Sequence, residues 1–155
     1  MSPAIIEAGW IVLAVSAALA GGMMLTFSNF VMPALARVPN SEAVRAMQRI
    51  NEDVINPLFL ALFIGTGPAM ALWVGLETWA VGFVPLRALG AGLYLVGVVG
   101  VTARGNVPLN NRLAAIEPED AAPDTWARYA GPWLRWNHTR TVAAALSAGA
   151  VLFGG

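Results

Sequence analysis

Four stretches of this chain carry no charged side chain over lengths that approach or exceed a membrane crossing. They are residues 8–36, 54–76, 88–103 and 141–155. A helix needs about 20 apolar residues to cross a hydrocarbon core roughly 30 Å thick. The last two runs are shorter than that, so their helices must extend into neighbouring polar residues. The first three runs also lack the polar stripe of a soluble helix. The sequence therefore predicts an all-α integral membrane protein.

Composition supports this class and narrows the chemistry. Hydrophobic residues make up 57% of the chain and charged residues only 12%. Without cysteine, disulfides and thiolate chemistry are excluded, and a single histidine cannot build the usual two-histidine iron or copper site. We therefore expect no metal and no cofactor, although a symmetric homo-oligomer could still bring two copies of His138 together. No glycine-rich nucleotide loop, serine nucleophile motif or nucleic-acid signature is present.

We expect one domain, residues 1–155, built as a bundle of four membrane-spanning helices. Their predicted bounds are about residues 5–32, 54–76, 84–106 and 134–153. Pro68 predicts a kink in the second helix, because proline removes a backbone hydrogen bond. Apolar residues recur every three or four positions from Val44 to Val54, which predicts a short interfacial helix over residues 41–53 in the first connection.

The distribution of arginine predicts the orientation in the membrane. All nine basic residues are arginine, which is typical of a GC-rich bacterial genome, and only Arg87 lies in the second connection. The others flank or occupy the first and third connections, which the positive-inside rule places in the cytoplasm. We therefore predict a multi-pass protein of the inner (plasma) membrane with both termini outside the cytoplasm.

Polar residues gather at the predicted cytoplasmic ends of the helices. The last helix can span the membrane only by taking in Asn137, His138 and Arg140. Polar groups at such depth are costly and usually face a bundle interior or a cavity. Asn29, Asn56, Asn106 and Asn110 lie at the matching ends of the other helices. We expect Asn106, Asn110, Asn137 and Arg140 to line one cavity roofed by Trp136.

Four ordered motifs give the chain a family resemblance. They occupy residues 30–35 (FVMPAL), 47–60 (MQRIN followed by NPLFL), 106–111 (NVPLNN) and 136–141 (WNHTRT). In these motifs the chain resembles the anthrone oxygenase-like family of small membrane proteins. The resemblance implies oxidation of anthrones to anthraquinones by dioxygen, without a cofactor.

That resemblance implies roles for the polar residues. Oxygenation without a cofactor requires a base, donors that hold an oxyanion, and a dry pocket for an apolar aromatic substrate. His138 is the candidate base, and Arg140 and Asn137 are candidate catalytic donors. The candidate substrate-binding residues are Asn106, Asn110, Trp136, Trp133, Asn56 and Asn29.

Two alternatives remain open at the level of sequence. At 100° per residue His138 points away from Asn137, so the histidine either faces a wide cavity or lies at the membrane interface. The protein could also be a non-catalytic four-helix membrane protein that binds a lipid, a quinone or a protein partner. Both functions imply the bilayer as a partner; an oxygenase also needs a hydrophobic small-molecule substrate, whereas the alternative needs a lipid, a quinone or a protein.

Overall fold

The chain folds into six helices joined by short connections. The computed structural model describes all 155 residues. The helices are α1 Pro3–Leu35, α2 Asn40–Asp53, α3 Pro57–Phe63, α4 Thr66–Ala80, α5 Pro85–Ala114 and α6 Thr125–Leu152. Helical residues make up 84% of the chain and there are no strands, which confirms the all-α prediction.

The helices differ in their suitability for crossing a membrane. By length and composition, α1 and α5 could each span a membrane. The bent pair α3 and α4 would form a third span if the two helices are counted together. The 28-residue α6 is not in that group. Residues 125–140 of this helix carry Arg128, Arg135 and Arg140. These findings support a membrane protein.

The polar helix α6 lies at the centre of the structure. It packs along α1 on one side and along α5 on the other, and these are the two largest helix–helix contacts. Small residues allow the close approach: a Cβ atom built on Gly97 would lie 2.5 Å from Cβ of Ala143, and one on Gly21 would lie 3.2 Å from Cβ of Ala144. Small residues have this role in membrane helix packing. The neighbours of α6 therefore cover Asn137, Arg140 and Ser147, which are buried.

Two helices continue past prolines at which the sequence predicts that they end. The expected ends were residues 32 and 106, but α1 runs through Pro33 to Leu35 and α5 runs through Pro108 to Ala114. Each proline follows a π-helical turn, Phe27–Val31 in α1 and Thr102–Asn106 in α5. A proline ring ordinarily clashes with the carbonyl four residues earlier. Here that carbonyl belongs to the widened turn, which accommodates the ring.

The helix α6 also begins earlier than the expected residue 134. Its backbone starts at Thr125, and the side-chain oxygen of Asn40 accepts a hydrogen bond of 2.9 Å from the N–H of Trp126. Trp126, Tyr129 and Trp133 follow at helical spacing and pack against α2. An asparagine far away in sequence thus satisfies the first turn of α6, which sequence reading cannot anticipate.

The helix α2 covers residues 40–53, close to the predicted 41–53, and it packs on the connection that precedes α6. Its buried face includes Val44 and Met47. The side-chain nitrogen of Gln48 donates to the carbonyls of Leu113, at 2.9 Å, and Ile116, at 2.8 Å. Arg45 pairs with Glu119, and this hydrogen bond holds the pKa of Glu119 below its usual value. The helix is therefore fixed to both α5 and the following connection.

The kink predicted near Pro68 separates α3 from α4. The two helices meet at 43° after a break at residues 64–65. A Cβ atom on Gly65 would lie 2.4 Å from the carbonyl oxygen of Ala61, so the bend needs a glycine there. The hydroxyl of Thr66 donates to the carbonyl of Leu62 at 2.6 Å and satisfies one group left free by the break.

A buried ion-pair cluster joins α1, α4 and α5 near the N-terminus of α1. Arg87 donates to Glu77 at 2.5 Å and to Glu7 at 2.7 Å. The side chains of Arg87 and Glu77 are both only 3% exposed, whereas Glu7 is half-exposed. The guanidinium also lies 5.6 Å from the ring centroid of Trp10. Arg87 is therefore a structural residue, and it lies in the first turn of α5 rather than in the preceding connection.

We predict that Arg87→Met destabilises the fold by about 3–5 kcal/mol, because it leaves the buried Glu77 carboxylate without its partner. Arg49→Met is the matched control, since its pair with Glu52 is exposed and contributes about 0–1 kcal/mol. Thermal unfolding in detergent, followed by circular dichroism, measures both. Equal unfolding midpoints for the two variants would contradict the assignment.

Candidate functional site

A cavity of about 290 Å³ lies among α1, α2, α3, α5 and α6. Methionine, isoleucine, valine, leucine and aromatic side chains form most of its wall. Its polar residues are Asn51, Thr102, Asn106, Asn110, Asn137 and Arg140. The volume is near the lower end of the range for small-molecule sites, about 300–1,000 Å³. The cavity is therefore an apolar chamber with one cluster of hydrogen-bonding groups.

Arg140 contributes the charge of this cluster. It is 7% exposed, and Nη2 donates to Oδ1 of Asn137 at 2.6 Å while Nη1 donates to the hydroxyl of Thr102 at 3.2 Å. Its guanidinium carbon lies 5.4 Å from the ring of Trp133 and 5.9 Å from that of Phe63. No carboxylate lies within salt-bridge distance, since the ion pairs of the chain involve other residues. The cavity therefore holds a buried, uncompensated positive charge.

Asn137 connects this arginine to α1. Its Nδ2 donates to the carbonyl of Met24 at 2.7 Å and to the hydroxyl of Ser28 at 2.8 Å. Because the carbonyl can only accept, the amide nitrogen must face α1 and the amide oxygen must face Arg140. Ser28 belongs to the π-helical turn of α1, and Thr102 begins that of α5. Such turns are frequent at functional sites.

Asn106 and Asn110 form the α5 side of the cluster. Nδ2 of Asn106 donates to the carbonyl of Trp133 at 3.2 Å. Oδ1 of Asn110 accepts from the indole N–H of Trp133 and from the hydroxyl of Tyr129, both at 3.0 Å. An indole nitrogen only donates, so this amide orientation is also fixed. The pair therefore holds Trp133 in place at the cavity wall.

Three buried polar atoms of the cluster have no protein partner. They are Nε of Arg140, Nδ2 of Asn51 and Oδ1 of Asn106. Unpaired buried polar atoms are rare and costly, and they often mark a functional site. The first two are donors and the third is an acceptor. A ligand that offers both a carbonyl or oxyanion oxygen and a hydroxyl group would match their chemistry.

Four predicted site residues lie outside the cavity wall. His138 and Asn29 are exposed. Trp136 is 42% exposed, and its ring packs directly against Gly105, which has no side chain to obstruct it. Asn56 caps α3, accepting from the N–H of Phe59 at 3.0 Å. No carboxylate or histidine lines the cavity, and no group of three potential metal ligands occurs in the chain. The structure thus separates His138 from Arg140.

The family comparison covers three of the four sequence motifs, those at residues 47–60, 106–111 and 136–141. A family model described as anthrone oxygenase matches residues 45–150. The chain belongs to the anthrone oxygenase family. No curated protein and no solved structure matches it. The matched region includes every polar residue of the cavity, and the only lining residues outside it are Met23, Met24 and Phe27 of α1.

This anthrone oxygenase family member also has cavity residues outside the predicted set of site residues. Thr102 bonds Arg140, and Phe63 packs near it. Asn51 lies on α2 four residues after Met47 and three before Val54, hence on the apolar face. A polar residue on an apolar face was the available signal for Asn51. Thr102 gave no such signal, because its position depends on the π-helical turn that it begins in α5.

We predict that Asn137→Ala lowers the free energy of unfolding by about 1–3 kcal/mol, because Arg140 loses its shortest hydrogen bond. The neighbouring His138→Ala is the control and should change stability by at most about 0.5 kcal/mol, since His138 is exposed. Thermal unfolding in detergent measures both. If both variants unfold at the wild-type temperature, the amide does not support the arginine.

Proposed function

We propose that this protein is a membrane-embedded, cofactor-independent oxygenase that oxidises an anthrone-type aromatic ketone. The observation that carries the proposal is the guanidinium of Arg140, buried in an apolar cavity without a carboxylate partner. A buried charge is expensive unless something compensates it. An aromatic enolate supplies both the missing negative charge and a flat apolar body.

The proposal includes an arrangement in the membrane. The helices α1, α3 with α4, α5 and α6 would form a four-helix bundle, and α2 would lie at the cytoplasmic interface. The central position of α6 supports its inclusion, because Asn137 bonds to α1 and Arg140 bonds to α5. The arginine distribution supports cytoplasmic first and third connections in an inner membrane, with both termini outside.

The reaction balances without a resident redox group. One anthrone and one dioxygen give one anthraquinone and one water. The benzylic C–H bond of the ketone loses its proton, and the electron pair forms an enolate. The carbanion carbon then forms a bond to dioxygen, giving a peroxide. The peroxide carbon then loses its second proton, the electron pair of that C–H bond forms the new C=O bond, and the O–O bond breaks so that the outer oxygen leaves as water. The substrate supplies all the electrons, and dioxygen accepts them.

The side chains of the cavity contribute electrostatics and orientation in this scheme. Arg140 would stabilise the enolate oxygen, and Asn137 and Thr102 would hold the guanidinium in place. Asn51, Asn106 and Asn110 would position the substrate's oxygen atoms, while Trp133 would pack on its rings. His138 lies outside the cavity wall, so in this scheme a water molecule, and not the histidine, removes the benzylic proton. Preorganised charge in a dry site is often the largest catalytic term.

The test is oxygen-dependent turnover of a panel of anthrones by purified protein. We expect quinone formation above the spontaneous rate under air and none under nitrogen. Arg140→Leu should lower kcat by about 10² to 10³, the usual effect of removing an oxyanion donor. Arg135→Leu, which removes an exposed arginine of the same helix, is the matched control and should retain normal turnover.

Other results of these assays would contradict the oxygenase function or the roles of individual residues. If the anthrones bind but the wild-type rate never exceeds the spontaneous one, the cavity belongs to a non-catalytic binding protein. If Arg140→Leu and wild type turn over equally, Arg140 has no catalytic role. His138→Gln should retain turnover and pH profile, and a loss of activity in that variant would restore the histidine as the base.

A further inference from the structure

The cavity wall is incomplete on one side of the molecule. Ile55, Leu60, Ile64 and Val107 line the cavity, yet they are also 69%, 41%, 39% and 41% exposed on the outside. On the opposite side, the lining residues Met24 and Asn137 are 4% and 0% exposed. A side chain that is exposed on the exterior and also lines the chamber marks an opening. The mouth therefore lies between α3 and α5.

The position of this mouth is set by the break between α3 and α4. The helix α3 has seven residues and turns by 43° into α4 after Gly65. Inside the bend, Phe59 stacks on Phe63 with ring centroids 4.9 Å apart, and the carbonyl of Phe63 accepts from the hydroxyl of Tyr94 at 3.0 Å. These contacts fix one face of α3 against the core. Its other face, with Leu60, borders the opening.

The rim consists of aliphatic side chains, and Arg140 lies behind it at the buried end of the chamber. The adjoining surface of α3 is apolar as well, since Leu58 is 79% exposed. Apolar surface in water is unfavourable in proportion to its area, whereas in a bilayer it has no such cost. A mouth of this composition matches the hydrocarbon layer better than an aqueous phase.

We propose that ligands enter this cavity sideways from the bilayer, through the mouth formed by Ile55, Leu60, Ile64 and Val107. The inference rests on the membrane placement in the proposed function, but not on the oxygenase chemistry. The ligand class is a neutral, flat polycyclic molecule that is dissolved in the membrane. It crosses the apolar rim uncharged and meets the only charge of the wall, Arg140, at the inner end of its path.

A single cysteine inside the cavity tests the route. The natural chain has no cysteine, so Met24→Cys, at a buried lining position, gives one reactive thiol. The full-length variant is placed in phospholipid vesicles and treated with pyrenylmaleimide, a flat polycyclic reagent that partitions into the bilayer. A parallel sample receives a charged, membrane-impermeant thiosulfonate. We expect labelling by pyrenylmaleimide and little reaction with the charged reagent.

Rim substitutions then locate the opening. In the Met24→Cys background, Leu60→Trp and Val107→Trp should each slow pyrenylmaleimide labelling at least fivefold, because they narrow the mouth. Leu58→Trp is the matched control, since Leu58 is exposed on the same helix but does not line the cavity. Its labelling rate should equal that of the parent. Helix content by circular dichroism confirms that each variant is folded.

Three results would overturn the proposal. Faster labelling by the charged reagent would mean that the cavity opens to water. Labelling by neither reagent would mean that it is closed. Unchanged rates in both rim variants would mean that the opening lies elsewhere. All three readouts are independent of turnover, so a failure of the oxygenase assignment leaves this experiment interpretable.

Discussion

The hydrogen bond between Arg140 and Asn137 on α6 holds together the part of the structure that matters for function. It joins a charge on the central helix to the backbone of α1 through Asn137 and to α5 through Thr102. Because these bonds satisfy part of the guanidinium, α6 can lie at the core although it carries a buried arginine there. Asn106 and Asn110 extend the same cluster and hold Trp133 at the cavity wall.

The two buried arginines show how similar charges can have different uses. Arg87 has two carboxylate partners and its cluster ties three helices together. Arg140 has amide, hydroxyl and aromatic neighbours but no carboxylate. Pairing makes the first a structural element. The absence of a counter-charge, inside a chamber that would admit a small aromatic, makes the second a candidate ligand-binding group.

The sequence was sufficient for the fold class and for part of the cluster. Uncharged runs indicated the helices, and the shared helix ends grouped Asn106, Asn110, Asn137 and Arg140, which all line the cavity. The π-helical turns before Pro33 and Pro108 could not be predicted, because they arise from packing. Nor could the cap that Asn40 provides to α6, since the two are more than eighty residues apart. Helical geometry also predicted that His138 points away from Asn137, and His138 is exposed in the structure.

The central claim is that the uncompensated charge of Arg140 stabilises an aromatic oxyanion, and the ionisation state of bound anthrone tests it most directly. Under nitrogen, where oxidation cannot proceed, the absorption spectrum of anthrone bound at neutral pH distinguishes its anion from the neutral ketone. The account predicts the spectrum of the anion in the wild-type protein and that of the ketone in Arg140→Leu. A ketone spectrum in both proteins would contradict it.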